Sequence, residues 1–216
     1  MSKRFRAYAL TCCLLACAYL PVAAQTGERA GTILDNAVNK IKSYPAVEVI
    51  FTLTMENKAE SVRESYPGKA YMKGNMYRVE MMDVVNYFDG QVIYTYMPEV
   101  EEVNIKNPEE EQEEFLDPTI LLDIHNQKFT RALVEEKGGK ARVELTPRTP
   151  HKQIKTIGVW INTATNTVEQ VTSFGKDGND IIIAITSLKA PGETPDDAFF
   201  RFNAGDHPGV EVIDLR

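Results

Sequence analysis

The chain is expected to fold as a mainly β protein built on one large antiparallel sheet, with two or three helices. Two observations set this expectation. From Val47 onward apolar residues recur at every second position in short runs separated by turn residues, the spacing of strands with one buried face. Helical spacing is confined to two stretches, one ahead of the first strand and one between two sets of strands.

The first residues lie outside this scheme. Lys3, Arg4 and Arg6 precede an apolar run from Ala7 to Leu20, followed by Pro21 and the small residues Val22, Ala23 and Ala24. This is the order of a signal peptide's charged, hydrophobic and cleavage regions, and it divides the chain into a leader (1–24) and one domain (25–216), with cleavage after Ala24. The apolar run falls short of the roughly 20 residues a helix needs to cross a bilayer. A second reading of the same segment is a lipoprotein signal, Leu14-Leu15-Ala16-Cys17, in which Cys17 is lipidated. Cys12, Cys13 and Cys17 are the only cysteines and all lie in the leader, so the exported chain must hold its fold by burial and backbone pairing, without disulfides. Losing Lys3, Arg4 and Arg6 also takes the formal net charge from −7 to −10. Nucleic acid and anionic lipid headgroups are poor partners for such a surface. A hydrophobic cargo would have to enter a pocket.

Ala30, Ile33, Leu34, Ala37, Val38 and Ile41 recur at three- and four-residue steps and predict an amphipathic helix that stops before Tyr44-Pro45. Val47, Val49, Phe51, Leu53 and Met55 then alternate with Glu48, Ile50, Thr52 and Thr54, opening the strands. Further strands are expected over Lys69 to Met72, Met76 to Met81, Val84 to Phe88 and Val92 to Met97, with turns at Pro67-Gly68, Gly74-Asn75 and Asp89-Gly90. The run Glu109 to Glu114 reads as a solvated loop; a calcium loop would need a turn glycine, which the run lacks. Asp117-Pro118 resembles a helix cap with proline at the first helical position, leading into a short helix whose apolar side is Leu116, Ile120, Leu121 and Ile124. A second set of strands comes after it: Phe129 to Val134, Ala141 to Pro147, Lys155 to Asn162, Val168 to Phe174 and Asp180 to Leu188, then Ala198 to Phe202 beyond a linker. Nine or ten antiparallel strands in one sheet must curl, and curled sheets enclose cavities.

Catalytic chemistry finds little support. His125, His151 and His207 are far apart with no ligand-spaced neighbour, so no metal is expected, and no cysteine remains for thiol catalysis. No nucleophile elbow, phosphate loop or dinucleotide fingerprint occurs. The chain is therefore read as a non-enzyme without a cofactor. The numerous carboxylates read as an acidic surface, although a glycosidase-like pair is compatible with them. The stretch from Tyr71 to Met97 is rich in tyrosine and methionine, residues that suit either an ordinary core or a surface adapted to varied hydrophobic ligands.

Within it, Tyr71-Met72-Lys73-Gly74-Asn75-Met76-Tyr77-Arg78-Val79-Glu80-Met81, Phe88-Asp89-Gly90 and Tyr94-Thr95-Tyr96-Met97-Pro98-Glu99-Val100-Glu101 succeed one another, with Leu145-Thr146-Pro147 and Phe202 to Val212 later. This succession resembles the periplasmic outer-membrane lipoprotein carriers, the LolA-like family. The resemblance implies a strongly curved antiparallel sheet forming an incomplete, half-open barrel, with helices covering its concave apolar face. It implies a periplasmic carrier, soluble and monomeric, that holds lipoprotein acyl chains and moves them from the inner to the outer membrane. Its expected partners are acylated lipoproteins as cargo, an inner-membrane lipoprotein-releasing transporter and an outer-membrane acceptor. The hollow is expected to be lined by Phe51, Leu53, Tyr77, Val79, Met81, Tyr87, Tyr94 and Tyr96 from the sheet, and by Leu116, Ile120, Leu121 and Ile124 from the inserted helix. Other readings on the same fold are a carrier of free lipids or glycolipids and a sensor of mislocalised lipoproteins; a third class is a cell-envelope adhesion or structural β-protein, which predicts a filled core with no cavity. At one place the chain departs from the family: Gly74 comes directly after Lys73, where better-known members carry an arginine tied to lid closure.

Overall fold

The leading amphipathic stretch forms the helix α1 (Val22–Lys42), which begins just ahead of the expected processing point. A computed structural model describes residues 22–108 and 128–216. Ala30, Ile33, Leu34, Ala37, Val38 and Ile41 form its buried stripe, each at most 4% exposed. Lys40 and Lys42 sit in the last turn, where cations complement the helix dipole. Pro45 disfavours a helical Tyr44, and the chain leaves the helix at Ser43, whose N–H donates to Asn39 O at 3.0 Å.

Beyond the helix come twelve strands: β1 (Val47–Asn57), β2 (Val62–Lys73), β3 (Met76–Met81), β4 (Val84–Phe88), β5 (Ile93–Met97), β6 (Glu102–Lys106), β7 (Phe129–Lys137), β8 (Lys140–Pro147), β9 (Ile154–Asn162), β10 (Thr167–Gly175), β11 (Asn179–Lys189) and β12 (Glu211–Asp214). They form one curved, unclosed sheet in the order β12-β6-β5-β4-β3-β2-β1-β11-β10-β9-β8-β7. Every pairing is antiparallel except β12 with β6. The sheet is thus two meanders, β1–β6 and β7–β11, joined through the long-range pair β1–β11. Helix α1 packs chiefly against β7, β8 and β10. Arg29 tethers it to Glu136 of β7 at 2.5 Å, and Arg131 of the same strand lies 4.0 Å from Asp35.

Several elements differ from the sequence reading. Pro67-Gly68 is not a turn: both residues lie inside β2, and the reversal falls earlier, between β1 and β2, where Ser61 adopts φ 56°. Proline is tolerated because β3 pairs with β2 only from Gly68 onward, so the missing N–H at Pro67 faces no strand partner on that side. Gly68 serves packing: it pairs with Phe51, and the Phe51 ring lies over the space a Cβ would occupy. Strands β6 and β12 have no counterpart in the sequence reading, because β6 is short and charged and β12 forms only by a parallel return onto it. The expected strand over Ala198 to Phe202 is instead a 3-10 turn (Asp197–Phe200), set by the Asp196 carboxylate accepting the Phe199 N–H at 3.1 Å. The expected short helix carrying Leu116, Ile120, Leu121 and Ile124 lies outside the described residues.

Because a Cβ at Gly68 would enter the Phe51 ring, Gly68→Ala is expected to cost about 1–3 kcal/mol through overpacking. Urea unfolding measures it, and an unchanged midpoint would show that the ring does not depend on this glycine.

Candidate functional site: two faces of one sheet

Partners across a ladder share a face, so the register sorts every side chain of the sheet onto one of two faces. One face carries Val49, Phe51, Leu53 and Met55 of β1. Opposite them stand Leu188, Ile185, Ile183 and Ile181 of β11 on one side, and Ala70, Gly68, Tyr66 and Glu64 of β2 on the other. The face continues through Val171 of β10, Val159 of β9 and Val143 of β8 in one direction, and through Tyr77, Val79 and Met81 of β3 in the other. The buried stripe of α1 belongs to the same apolar cluster, so this is the helix-side face. Its side chains differ in cover. Phe51, Leu53, Tyr77 and Val79 are buried. Met55, Tyr66, Met81, Phe88, Ile181, Ile183, Ile185 and Leu188 pack against that core yet stay half-buried.

The twelve expected lining residues therefore divide. The register brings Phe51, Leu53, Tyr77, Val79 and Met81 together on the helix-side face. Tyr87, Tyr94 and Tyr96 go to the opposite face: Tyr87 pairs with Arg78 and Tyr94, and Tyr96 pairs with Val85 and Val103. Leu116, Ile120, Leu121 and Ile124 lie outside the described residues. A hollow shared by all the sheet residues is not what the register builds, because one residue's offset between Tyr77 and Arg78 decides the face of every partner.

The three tyrosines hold a strap instead. Residues 195–210 run across the opposite face of β2–β6 before β12 docks, and their aromatic rings interleave with those of the strands. Phe202 lies 4.9 Å from Tyr96 and 6.0 Å from Tyr87, and His207 stacks on Phe202 at 4.9 Å with 12° between planes. Phe199 meets Tyr71 edge-on at 5.0 Å. The Arg78 guanidinium sits between Phe199 and Tyr87, 4.7 and 5.1 Å from their centroids, and pairs with Glu80 at 2.9 Å. Arg78 is thus a packed cation, not an exposed one, with its side chain 26% accessible.

Two polar clamps complete the strap. Lys73 Nζ donates to Pro195 O at 2.9 Å and to Asp197 Oδ1 at 2.8 Å. Arg201 Nε donates to Asp89 Oδ2 at 2.9 Å. The Asp89 side chain is only 5% exposed and also accepts the N–H groups of Gln91 and Val92 at 3.0 and 2.9 Å. Burial pushes this carboxyl up, but the two backbone donors and Arg201 outweigh burial and hold it below its ordinary value. Tyr94, whose hydroxyl reaches Asp89 at 3.4 Å, is raised by burial and by that carboxylate. Gly74 occupies a hairpin turn at φ +61°, a conformation that disfavours an arginine side chain. The neighbouring Lys73 is committed to the strap.

Among the described residues no group of three or more His, Cys, Asp or Glu side chains is placed to hold a metal ion, and no helix is long and apolar enough to cross a membrane.

The model of the family described as "Outer membrane lipoprotein carrier protein LolA" matches residues 71–203, more than half of the chain. The chain belongs to the LolA family. The match runs from Tyr71 in β2 to Asn203, just past Phe202 in the strap, so it takes in both the tyrosine-rich strands and most of the segment clamped over them. Similar solved structures include an uncharacterized conserved protein of Thermus thermophilus (TM-score 0.56, 12% identity, 86% of this chain and 99% of that one). A LolA superfamily protein of Nitrosomonas europaea gives 0.46 at 12% identity, with 80% and 97% covered. A putative outer-membrane lipoprotein-sorting protein domain of Vibrio parahaemolyticus gives 0.48 at 10% identity, with the same coverage. No curated protein sequence matches the chain.

Sequence reading missed two features of this LolA-family sheet. The isoleucines of β11 read as a continuous run, Ile181-Ile182-Ile183, in which no alternation marks the inward set. The strap's partners lie more than a hundred residues away, so nothing local announces them.

The Asp89 clamp has a pH signature. Since its folded value is lowered, its contribution is present above the ordinary aspartate range, near pH 4, and is lost as pH falls through the folded value. Protection of residues 197–210 against hydrogen exchange, taken relative to the intrinsic amide rate at each pH, is expected to fall below about pH 4 in the native protein. Asp89→Asn should exchange faster at neutral pH and lose that pH dependence. Unchanged protection in the variant would remove the clamp from the account.

Proposed function

We propose that this LolA-family chain is a periplasmic carrier that receives lipoprotein acyl chains on the helix-side face of its sheet and moves them from the inner to the outer membrane. The observation that carries the reading is a row of large apolar side chains left half-buried in the middle of the sheet. Ile181, Ile183 and Ile185 stand beside buried Phe51 and Leu53, and Met55, Tyr66, Met81 and Phe88 border them. Central strands of a twelve-stranded sheet bury both neighbours' edges, so aliphatic surface left in water there is costly unless something covers it. Acyl chains suit it: each methylene withdrawn from water contributes about 0.8 kcal/mol, and methionine and isoleucine accept irregular chain shapes.

In this reading the face is concave, α1 covers its β7–β10 end, and Phe51, Leu53, Tyr77, Val79 and Met81 form the floor. Tyr87, Tyr94 and Tyr96 serve the strap and hold the sheet in shape from behind. The leader ending at Ala24 directs export, and the processed chain from Gln25 works as a soluble monomer. Its cargo is an acylated lipoprotein, taken from an inner-membrane releasing transporter and passed to an acceptor at the outer membrane. The role is binding, without catalysis.

Native mass spectrometry of the processed protein mixed with a triacylated lipoprotein tests this directly. A one-to-one complex is expected. Ile183→Asp should weaken it at least tenfold, because a carboxylate would enter the acyl surface. Tight binding of phospholipid alone, with no lipoprotein complex, would favour a free-lipid carrier on the same fold.

A further inference from the structure

On the helix-side face a built polar row crosses β4–β6, flanked by the apolar side chains Phe88 and Ile93 on one side and Val84 and Met97 on the other. One cross-strand row runs Leu188, Val49, Ala70, Val79, Asn86, Thr95, Asn104 and Ile213, each residue paired with the next. It is apolar from β11 through β3. Across β4, β5 and β6 it becomes amide, hydroxyl, amide. Adjacent strands lie about 4.8 Å apart, so the polar segment begins one strand from Val79 and is about 10 Å wide. Asn86, Thr95 and Asn104 are all half-buried.

The patch is held in place by its own hydrogen bonds. Thr95 Oγ1 donates to Asn86 Oδ1 at 2.8 Å, and Asn104 Nδ2 donates to Glu102 Oε1 at 3.0 Å. Among the described residues these bonds leave a defined remainder. Thr95 Oγ1, Asn104 Oδ1 and the second Glu102 oxygen can still accept, while Asn86 Nδ2 and the second Asn104 N–H can still donate. Acceptor lone pairs outnumber N–H donors. On β4–β6 this face carries one lysine, Lys106, and one carboxylate, Glu102. A phosphate, which brings only acceptors and negative charge, would meet the wrong complement. An amide brings an N–H donor beside a carbonyl and fits it.

We infer that Asn86, Thr95 and Asn104 form a head-group subsite that recognises the amide-linked, peptide end of an acylated polypeptide while its acyl chains lie on the adjoining apolar face. The inference rests on the carrier reading above and adds the chemistry that separates a lipopeptide from a phospholipid of equal chain length. An N-acyl amide and the first peptide bonds reach β4–β6 as the chains lie against β1, β3 and β11.

The test compares a synthetic triacylated cysteinyl hexapeptide with dioleoylglycerol and dioleoylphosphatidylglycerol, measured by displacement of an environment-sensitive naphthyl probe. The native protein is expected to prefer the lipopeptide about tenfold over either lipid, the scale of one or two net hydrogen bonds. Thr95→Val and Asn86→Leu should each abolish most of that preference and leave probe and dioleoylglycerol binding within about twofold, which also shows the variants folded. Equal affinity for phosphatidylglycerol, or variants that keep the preference, would overturn the subsite while leaving the acyl surface standing. If neither probe nor lipopeptide binds the native protein, the carrier reading falls and the subsite with it.

Discussion

The pairing of β1 with β11 is the constraint on which the rest of the molecule depends. It joins Glu48–Asn57 to Asn179–Lys189 and so fuses two meanders, each connected by short turns, into one sheet. Side chains alternate with period two, so a slip of one residue here would set Phe51, Leu53 and Met55 against the wrong partners and split the apolar face down its middle. The irregularity at Ile50/Phe51 absorbs one extra residue, Thr186, whose hydroxyl donates to Ile50 O at 3.0 Å. With that offset in place, Val49 meets Leu188 and Phe51 meets Ile185, and the inward set is continuous across the joint.

From this continuity the two faces acquire separate work. The helix-side face is core at the α1 end and half-buried aliphatic surface in the centre, and it carries one polar row, Asn86, Thr95 and Asn104, across β4–β6. The opposite face of β2–β6 is closed by the strap, through rings on Tyr71, Tyr87 and Tyr96 and clamps at Lys73 and Asp89. A strap that fills one side stiffens the thin meander without taking space from the other. Substituting Tyr96 or Phe202 would therefore be felt as lost stability, since both pack under the strap on the face opposite α1.

Much of this was legible in the sequence. The amphipathic spacing of Ala30 to Ile41 gave the helix and its buried face, the alternation from Val47 to Met55 gave a strand and its inward residues together, and the runs Ala141 to Pro147 and Lys155 to Asn162 gave strands alone. Tyrosines were harder. An aromatic ring with a polar tip is equally suited to a ligand surface and to a strap contact, and only the register, Tyr77 on one face and Tyr87 on the other, tells them apart. Pro67-Gly68 misled for a related reason. The pair reads as a turn, yet it marks a strand whose edge is unpaired at the proline and whose glycine makes room for a ring from the neighbouring strand. The family motifs pointed to the right family while leaving open which face their aromatic residues serve.

The division of labour between faces is the central claim, and two consecutive residues of β11 test it most directly. Ile183 pairs with Leu53 and Val171 on the helix-side face, and Ile182 pairs with Thr54 and Thr172 on the other. A photoreactive side chain placed at each position in turn, in the processed protein loaded with a triacylated lipopeptide, reports which face the acyl chains touch. The account predicts a crosslink from position 183 and none from position 182. A crosslink from 182, or equal yields from both, would contradict it.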